Sequence, residues 1–283
     1  MRFVSARRKL ARGRRHCDRL FELVDAFEAT DPITADFVER DDGSGDTDIL
    51  FHVHQDKVPV EMSLVLGDCL HNFRTALDHI VFHAVGEEAT TRTEWPMAGE
   101  DGARPKDWED RVRSRACRGR SAAASVLQDY LCGIEPFRGG RQEWMWLLHR
   151  LDVTDKHRLL LTATTVVSKV RSVHLVDAVQ VTADEPDSSV LIPNAGEFEV
   201  TYEPPSSGAL TDGQVFLTFT ADEMAHLRRL HIRLGVGLLE PGLPVGVRSV
   251  KEIVTGFVDG VGDVIETIED LVDTGPTVFR SGA

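Results

Sequence analysis

The sequence predicts an α+β protein, with a helical core and a mainly antiparallel β-sheet in the second half. Apolar residues recur at helical spacing in several segments before residue 158 and again after residue 247. Between residues 159 and 246, β-branched and alternating segments are separated by Pro, Ser, Asp and Gly. We therefore expect three regions in one integrated domain. They are a helical region with a β-hairpin at 1–158, an antiparallel β region at 159–246, and a C-terminal helix at 247–283 that packs back on the helical region.

The first half begins with an amphipathic pattern over residues 3 to 29, which predicts a helix with its arginines facing outward. Residues 34 to 40 and 48 to 54 alternate on either side of a turn rich in Asp and Gly, which predicts a β-hairpin. A longer apolar pattern follows from about residue 58 to residue 85. Pro59 lies near its start, where the missing N–H leaves no helical bond unmade, so a long central helix is expected.

The remaining elements are predicted from the same two patterns, helical spacing of apolar residues and the alternation typical of strands. Residues 86 to 105 are rich in Gly, Thr, Pro and charge and predict a loop. Further helices are expected at 106–118, 121–132, 142–149 and 249–272. Strands are expected at 159–170, 173–182, 197–202 and 214–220.

Composition limits the class of protein. Of the 283 residues, 42% are hydrophobic and 28% are charged, which is typical of a folded globular chain. The formal net charge of −14 argues against a general nucleic-acid coat, because such binding needs an excess of cations. Basic residues are nevertheless concentrated in the first helix and again between residues 111 and 120. Two interpretations of these basic clusters remain open. They either bind a local anionic partner, RNA or a nucleotide, or are simply solvated helix faces, which is the ordinary case.

Cysteine spacing and hydropathy indicate a cytoplasmic protein. The four cysteines are far apart and form no Cys-x-x-Cys pair, so neither a zinc knuckle nor a disulfide framework is predicted. No stretch approaches the length of a membrane span, and the N-terminus lacks the apolar segment of a signal peptide. We therefore expect reduced thiols and no membrane partner.

The central helix carries an unusual polar face. At about 100° per residue, Asp68, Asn72, His79 and His83 lie within one arc, with His71 and Asp78 beside it. A merely solvated face usually carries Lys, Glu and Gln, whereas this one has short acids, an amide and imidazoles, which suit fixed hydrogen bonds or proton transfer. Two interpretations remain open. The face either performs chemistry or satisfies buried polar groups, for instance through an ion pair between Arg74 and Asp78.

The stretch Arg74-Thr75-Ala76-Leu77-Asp78-His79 resembles the Arg-x4-His signature of the HEPN superfamily of helical ribonucleases and nucleotide-binding proteins. The longer string from Gly67 to His79 resembles a helix of the form GD-x-LHN-x-R-x-ALDH in uncharacterised bacterial proteins. The superfamily resemblance implies metal-independent RNA cleavage at the interface of a homodimer, without a cofactor. It also implies that His79 transfers protons and that Arg74 stabilises charge on the phosphorane.

Two sets of site residues follow from these patterns. The candidate catalytic residues are Asn72, Arg74, Asp78 and His79. The candidate binding or supporting residues are Asp68, His71, Asp155, His157 and Arg158. We expect the last three to lie beside the polar face of the central helix. In an unbroken helix, residues five apart are turned by about 140°, so one chain does not easily aim Arg74 and His79 at one phosphate.

A metal site is a weaker alternative. His79 and His83 are four residues apart on one face, which is the spacing of helical zinc ligands. Ile80 stands where a zincin motif has its general-base Glu, so a metalloprotease is disfavoured. His149, Asp152, Asp155 and His157 could complete a hydrolytic site if their helix lies beside the central one.

The leading functional prediction is a HEPN-like ribonuclease or nucleotide-binding protein, with a role as a toxin or defence component. The first alternative is a non-enzymatic binding or scaffold protein whose polar helix face is structural. A metal-dependent hydrolase comes third.

Overall fold

The fold is described by a computed structural model that covers residues 2–30, 33–53, 58–99, 101–157, 163–175, 178–182, 189–193, 197–202, 213–238 and 249–274. Its helices are α1 (Val4–Glu28), α2 (Val60–Val85), α3 (Trp108–Asp110), α4 (Ala122–Gly133), α5 (Glu143–His157), α6 (Ala221–His226) and α7 (Val250–Thr274). Its strands are β1 (Ile33–Glu39), β2 (Thr47–Val53), β3 (Ala163–Leu175), β4 (Ala178–Thr182), β5 (Ser189–Pro193), β6 (Glu197–Tyr202), β7 (Gln214–Phe219) and β8 (Leu227–Leu238). The predicted α+β class with a helical core is confirmed.

Helices α1 and α2 form an antiparallel pair at the centre of the core. Phe3 at the start of α1 meets the ring of His83 at the end of α2, with ring centroids 5.2 Å apart. Further along, Cys17 Sγ lies 3.7 Å from Cys69 Sγ, and both thiols are buried. The helices approach closely at Gly13, where an added Cβ would collide with the Phe73 ring. A glycine is therefore required at this crossing.

Helix α7 packs along α1 in the opposite direction. Arg7 Nη2 lies 2.6 Å from Glu269 Oε2 near one end of the pair, and Lys251 pairs with Asp25 near the other. Its buried residues recur at three- and four-residue spacing. Phe257 in this stripe packs at an angle against Trp144 of α5, with ring centroids 6.5 Å apart. The C-terminal helix therefore joins α1 and α5 in one core.

The described strands form three small antiparallel sheets. The hairpin of β1 and β2 continues into β7, so that this sheet joins both halves of the sequence. A second sheet has the order β6-β3-β8, and β4 pairs with β5 alone. Because β7 pairs with β2, one sheet contains strands from both the helical region and the β region. The two regions are therefore joined by this sheet and are not separate units.

Several element boundaries differ from the sequence prediction. The expected break near residue 171 is wrong, because β3 runs unbroken to Leu175 against β8. Strands β5 and β8 were not predicted, and pairing along β3 outweighs the low strand propensity of Gly235 and Gly237 in β8. The expected helix at 106–118 is only three residues of α-helix followed by a π-helical segment, Arg111–Ala116. The start of the predicted 159–170 strand lies outside the described residues.

Candidate functional site

Arg74 is the centre of a buried polar cluster between α2, α5 and the segment 86–99. Its side chain is only 6% exposed. Its Nη1 donates to Asp78, its Nη2 donates to the Trp95 carbonyl at 3.0 Å, and its Nε donates to His149 Nδ1 at 3.4 Å. All three nitrogens of the guanidinium group therefore have partners within the protein, which is how a buried charge is tolerated.

Asp78 makes a second contact between α2 and the same segment. Its carboxylate accepts a hydrogen bond from the Trp95 backbone N–H at 2.8 Å, in addition to the one from Arg74. The Arg74 and Asp78 pair thus binds both the backbone N–H and the backbone C=O of one residue. The Trp95 side chain is fully buried. The pair therefore fixes the position of the 86–99 segment on the core.

His149 is held neutral by this cluster. Burial, followed by the positive charge of Arg74, lowers the pKa of His149 to about 4, against an opposing effect of Asp152. Since Nδ1 accepts the hydrogen bond from Arg74 Nε, the ring proton is assigned to Nε2. A neutral imidazole with a fixed tautomer serves here as a hydrogen-bond acceptor for the buried guanidinium.

Asn72 is accounted for within its own helix. Its side chain is buried, and its Nδ2 donates to the Asp68 carbonyl one turn earlier at 2.7 Å. Three of the four candidate catalytic residues, Asn72, Arg74 and Asp78, therefore make internal hydrogen bonds. This is the arrangement expected of buried polar groups that maintain a fold.

His79 lies apart from this cluster, on the side of α2 that faces α1. It is half-buried, and burial together with the nearby charge of Lys9 lowers its pKa, while Asp78 has the opposite effect. Among the described contacts, none joins His79 to Arg74. The two residues of the Arg-x4-His signature thus belong to different environments, as the turn of the helix between them requires.

A second group of predicted residues lines a cleft between α2 and α5. Asp152 is 5% exposed and accepts a hydrogen bond from Lys156 Nζ at 2.7 Å. His71, which is about half exposed, places its Nδ1 3.4 Å from the other carboxylate oxygen of Asp152. A buried carboxylate thus lies beside a solvent-facing imidazole.

Asp155 closes this cleft against the backbone of α2. An added Cβ at Gly67 would overlap the Asp155 carboxylate, so the missing side chain makes room for it. Burial, followed by the negative charges of Asp152 and Asp68, raises the pKa of Asp155. The cleft has a volume of about 390 Å³. It is lined by Leu64, Gly67, Asp68, His71, Asp155 and Lys156.

The predicted site residues therefore fall into several places rather than one. Arg74 and the partly exposed Asp78 belong to the buried cluster, whereas Asn72 is buried against the backbone of its own helix and His79 faces α1. A further group, Asp68, His71 and Asp155, lines the cleft. His157 is the last residue of α5, but its side chain and the whole of Arg158 lie outside the described residues.

The metal alternative finds no support among the described side chains. No group of three or more His, Cys, Asp or Glu residues in that part of the chain is arranged to hold a metal ion. His83 instead contacts the ring of Phe3.

Sequence reasoning predicted the ion pair between Arg74 and Asp78, which is confirmed, but not the two distant partners of the buried cluster. The backbone of Trp95 and the acceptor nitrogen of His149 come from segments 21 and 75 residues away from Arg74. Gly67 gave one usable signal, since a glycine inside a helix costs stability and often marks a close approach.

Comparison with models of known protein families, with curated proteins and with solved structures finds no match. Among the described residues, none of the helices combines the length and apolar character needed to cross a membrane.

Proposed function

We propose that this chain is a non-enzymatic binding protein in which Asn72, Arg74 and Asp78 are structural. The observation that carries the proposal is the burial of Arg74, with every nitrogen of its guanidinium group bonded to the protein. Contact with a phosphate would require Arg74 to leave Asp78 and the Trp95 carbonyl. Breaking such a buried pair costs about 3–5 kcal/mol. Interactions between Arg74 and the phosphate would have to offset this free energy before Arg74 could contribute to catalysis.

In this proposal the cluster serves binding indirectly, because it fixes a surface segment. Trp95 is held by both of its backbone groups, and its neighbours on either side, Glu94 and Pro96, face a surface cleft. A segment that is already ordered favours binding, because the entropy lost on ordering a loose segment would weaken the affinity for a ligand. The cytoplasm is the proposed compartment, in keeping with the unlinked thiols of Cys17 and Cys69.

The test is an RNA-cleavage assay on the intact chain in EDTA, run beside thermal denaturation. We expect no cleavage by the wild-type protein, and a large loss of stability for Arg74→Ala. The matched control is Arg12→Ala, which removes an exposed arginine from α1 and should leave the melting temperature unchanged. Cleavage that survives purification and disappears in a folded Arg74→Ala variant would overturn the proposal.

A HEPN-like ribonuclease or nucleotide-binding protein is the second candidate, as a toxin or defence component that acts as a homodimer. One observation favours it. Arg8, Arg12 and Arg15 lie on one exposed face of α1 and make no ion pair with described residues, and Lys9 beside them approaches His79. A neutral histidine bordered by cations could transfer a proton near an RNA backbone.

This candidate has its own test. If it holds, His79→Ala should abolish cleavage of RNA while the melting temperature changes little, and sedimentation should show a dimer. Undiminished cleavage in His79→Ala, or absence of cleavage in the wild type, would eliminate it.

A further inference from the structure

A cleft of about 940 Å³ lies between the segment 88–97 and the π-helical segment Arg111–Ala116. Its volume is within the range of small-molecule sites. It is lined by Glu88, Thr90, Thr91, Arg92, Thr93, Glu94, Pro96, Met97, Arg111, Ser114 and Arg118. None of the candidate catalytic residues lines it, so its chemistry is separate from that of the central helix.

One wall of this cleft is a hydrogen-bonded turn. The Thr93 N–H donates to the Thr90 carbonyl at 3.0 Å, and the Thr90 N–H donates to Thr93 Oγ1 at 2.9 Å. Thr90 Oγ1 in turn accepts from the Arg92 N–H at 3.2 Å. Both hydroxyl oxygens act as acceptors within the turn, so their O–H groups remain available as donors. The turn leads directly into Trp95, which Arg74 and Asp78 hold in place.

The opposite wall supplies guanidinium groups. Arg111 uses its Nε for Asp107 at 2.9 Å, which leaves its two Nη groups for another partner. Arg118 is exposed and makes no ion pair with a described residue, and the same holds for Arg92 across the cleft. The π-helical segment that carries Arg111 is a rare geometry that occurs frequently at functional sites.

The charge of the lining narrows the class of ligand. Three arginines and the threonine hydroxyls are donors suited to a phosphate, whose oxygens accept several charge-assisted hydrogen bonds at once. Two carboxylates, Glu88 and Glu94, also line the cleft. They would repel a bare anion but accept hydrogen bonds from hydroxyl or amino groups of an organic phosphate. A phosphate ester with such donors fits both parts of the lining.

We propose that this cleft binds a small organic phosphate, with Arg92, Arg111 and Arg118 on the phosphate and Glu88 and Glu94 on donors of the organic part. The proposal rests on the proposed function, since it names the ligand class of a binding protein. It adds that the Arg74 cluster is a positioning element for the wall that contains Arg92.

The test uses inorganic pyrophosphate as the probe and calorimetry on the intact chain. Arg111→Ala/Arg118→Ala should weaken binding about tenfold or more, since a single charge-assisted hydrogen bond is worth at least that factor. The glutamate double variant, Glu88→Gln/Glu94→Gln, should bind pyrophosphate more tightly than the wild type because repulsion is removed. The matched control, Arg14→Ala/Arg141→Ala, removes two exposed arginines that do not line the cleft and should bind like the wild type.

All of these side chains lie at the surface of the cleft, so unchanged melting temperatures verify that each variant folds. No saturable binding of pyrophosphate by either the wild type or the Glu88→Gln/Glu94→Gln variant would overturn the proposal. So would equal binding by the wild type and the Arg111/Arg118 variant, or an equal loss in the Arg14/Arg141 control. These outcomes are distinct from RNA cleavage, which would overturn the proposed function and leave the pyrophosphate result standing.

Discussion

The contact between α2 and α5 has a buried side, around Arg74, and a cleft side, around His71, and the two use the same kinds of polar residue in opposite ways. On the buried side, Arg74 is desolvated and bonded to Asp78, Trp95 and His149. On the cleft side, His71 is half exposed, and its Nδ1 lies 3.4 Å from the Asp152 carboxylate of α5. The difference teaches that a conspicuous sequence motif on a helix does not identify a site, because burial decides whether a charged group is available to a ligand.

The largest expected effect tests the buried side directly. Arg74→Ala should lower the free energy of unfolding by about 3–5 kcal/mol, because Asp78 would keep its charge without its cation and the Trp95 carbonyl would lose its donor. Urea denaturation measures this change. In the exposed-arginine control, Arg12→Ala, the change should stay within about 0.5 kcal/mol. Equal small effects in both variants would show that the comparison between the two sides is wrong.

A pH titration sharpens the same comparison. Because the pKa of His149 falls from 6.5 to about 4 on folding, the unfolded chain binds more protons between these values. The stability from a neutral His149 is therefore complete above pH 6.5 and is lost as the pH falls towards 4, by about 1–3 kcal/mol. The raised pKa of Asp155 has the opposite sign, because the folded state takes up that proton first.

The measurement is the free energy of unfolding from pH 7 to pH 4 for the wild type and for His149→Gln, both in an Asp155→Asn background. The glutamine retains an oxygen that can accept from Arg74 Nε but does not titrate. We expect a shallower pH dependence for His149→Gln. Identical slopes would mean that His149 is not held neutral in the folded state.

The cleft side is tested at Gly67. Gly67→Ala should destabilise the protein by about 1–3 kcal/mol, since the added methyl group overlaps the Asp155 carboxylate. Adding Asp155→Ala should restore much of that loss, which a double-mutant cycle in denaturant would quantify. The matched control, Gly256→Ala in α7, meets open space and should stabilise the chain by about 0.5–1 kcal/mol. A loss of stability at both glycines would indicate a general intolerance of alanine instead.

The smallest expected effect is at His79. His79→Ala should change the free energy of unfolding by less than about 1 kcal/mol, because the side chain is half-buried and no described hydrogen bond depends on it. Thermal denaturation of His79→Ala and Arg74→Ala, run side by side, compares the loss of stability at the two ends of the Arg-x4-His stretch. A loss as large as that of Arg74→Ala would place His79 in the structural cluster too.

Local pattern was enough to predict much of the fold. The spacing of apolar residues predicted α1, α2, α4 and α7 to within a few residues, because each of these helices buries one continuous stripe. It failed at β8, whose stability comes from pairing with a distant strand. It failed also at the π-helical segment, because a periodicity of 3.6 does not distinguish it from an α-helix.

The sequence by itself determined the α+β class, the long central helix and the polar residues on it. It also set the angle between Arg74 and His79, since that depends only on helical geometry. Only the tertiary structure decided which of these groups are buried, because Trp95 and His149 approach Arg74 through long-range packing. The same packing brings Asp155 to the gap at Gly67 and the arginines at 111 and 118 to the turn at 90–93. The sequence determines which polar groups the side chains carry, but the folded core determines how far each group is removed from water and which partners it meets.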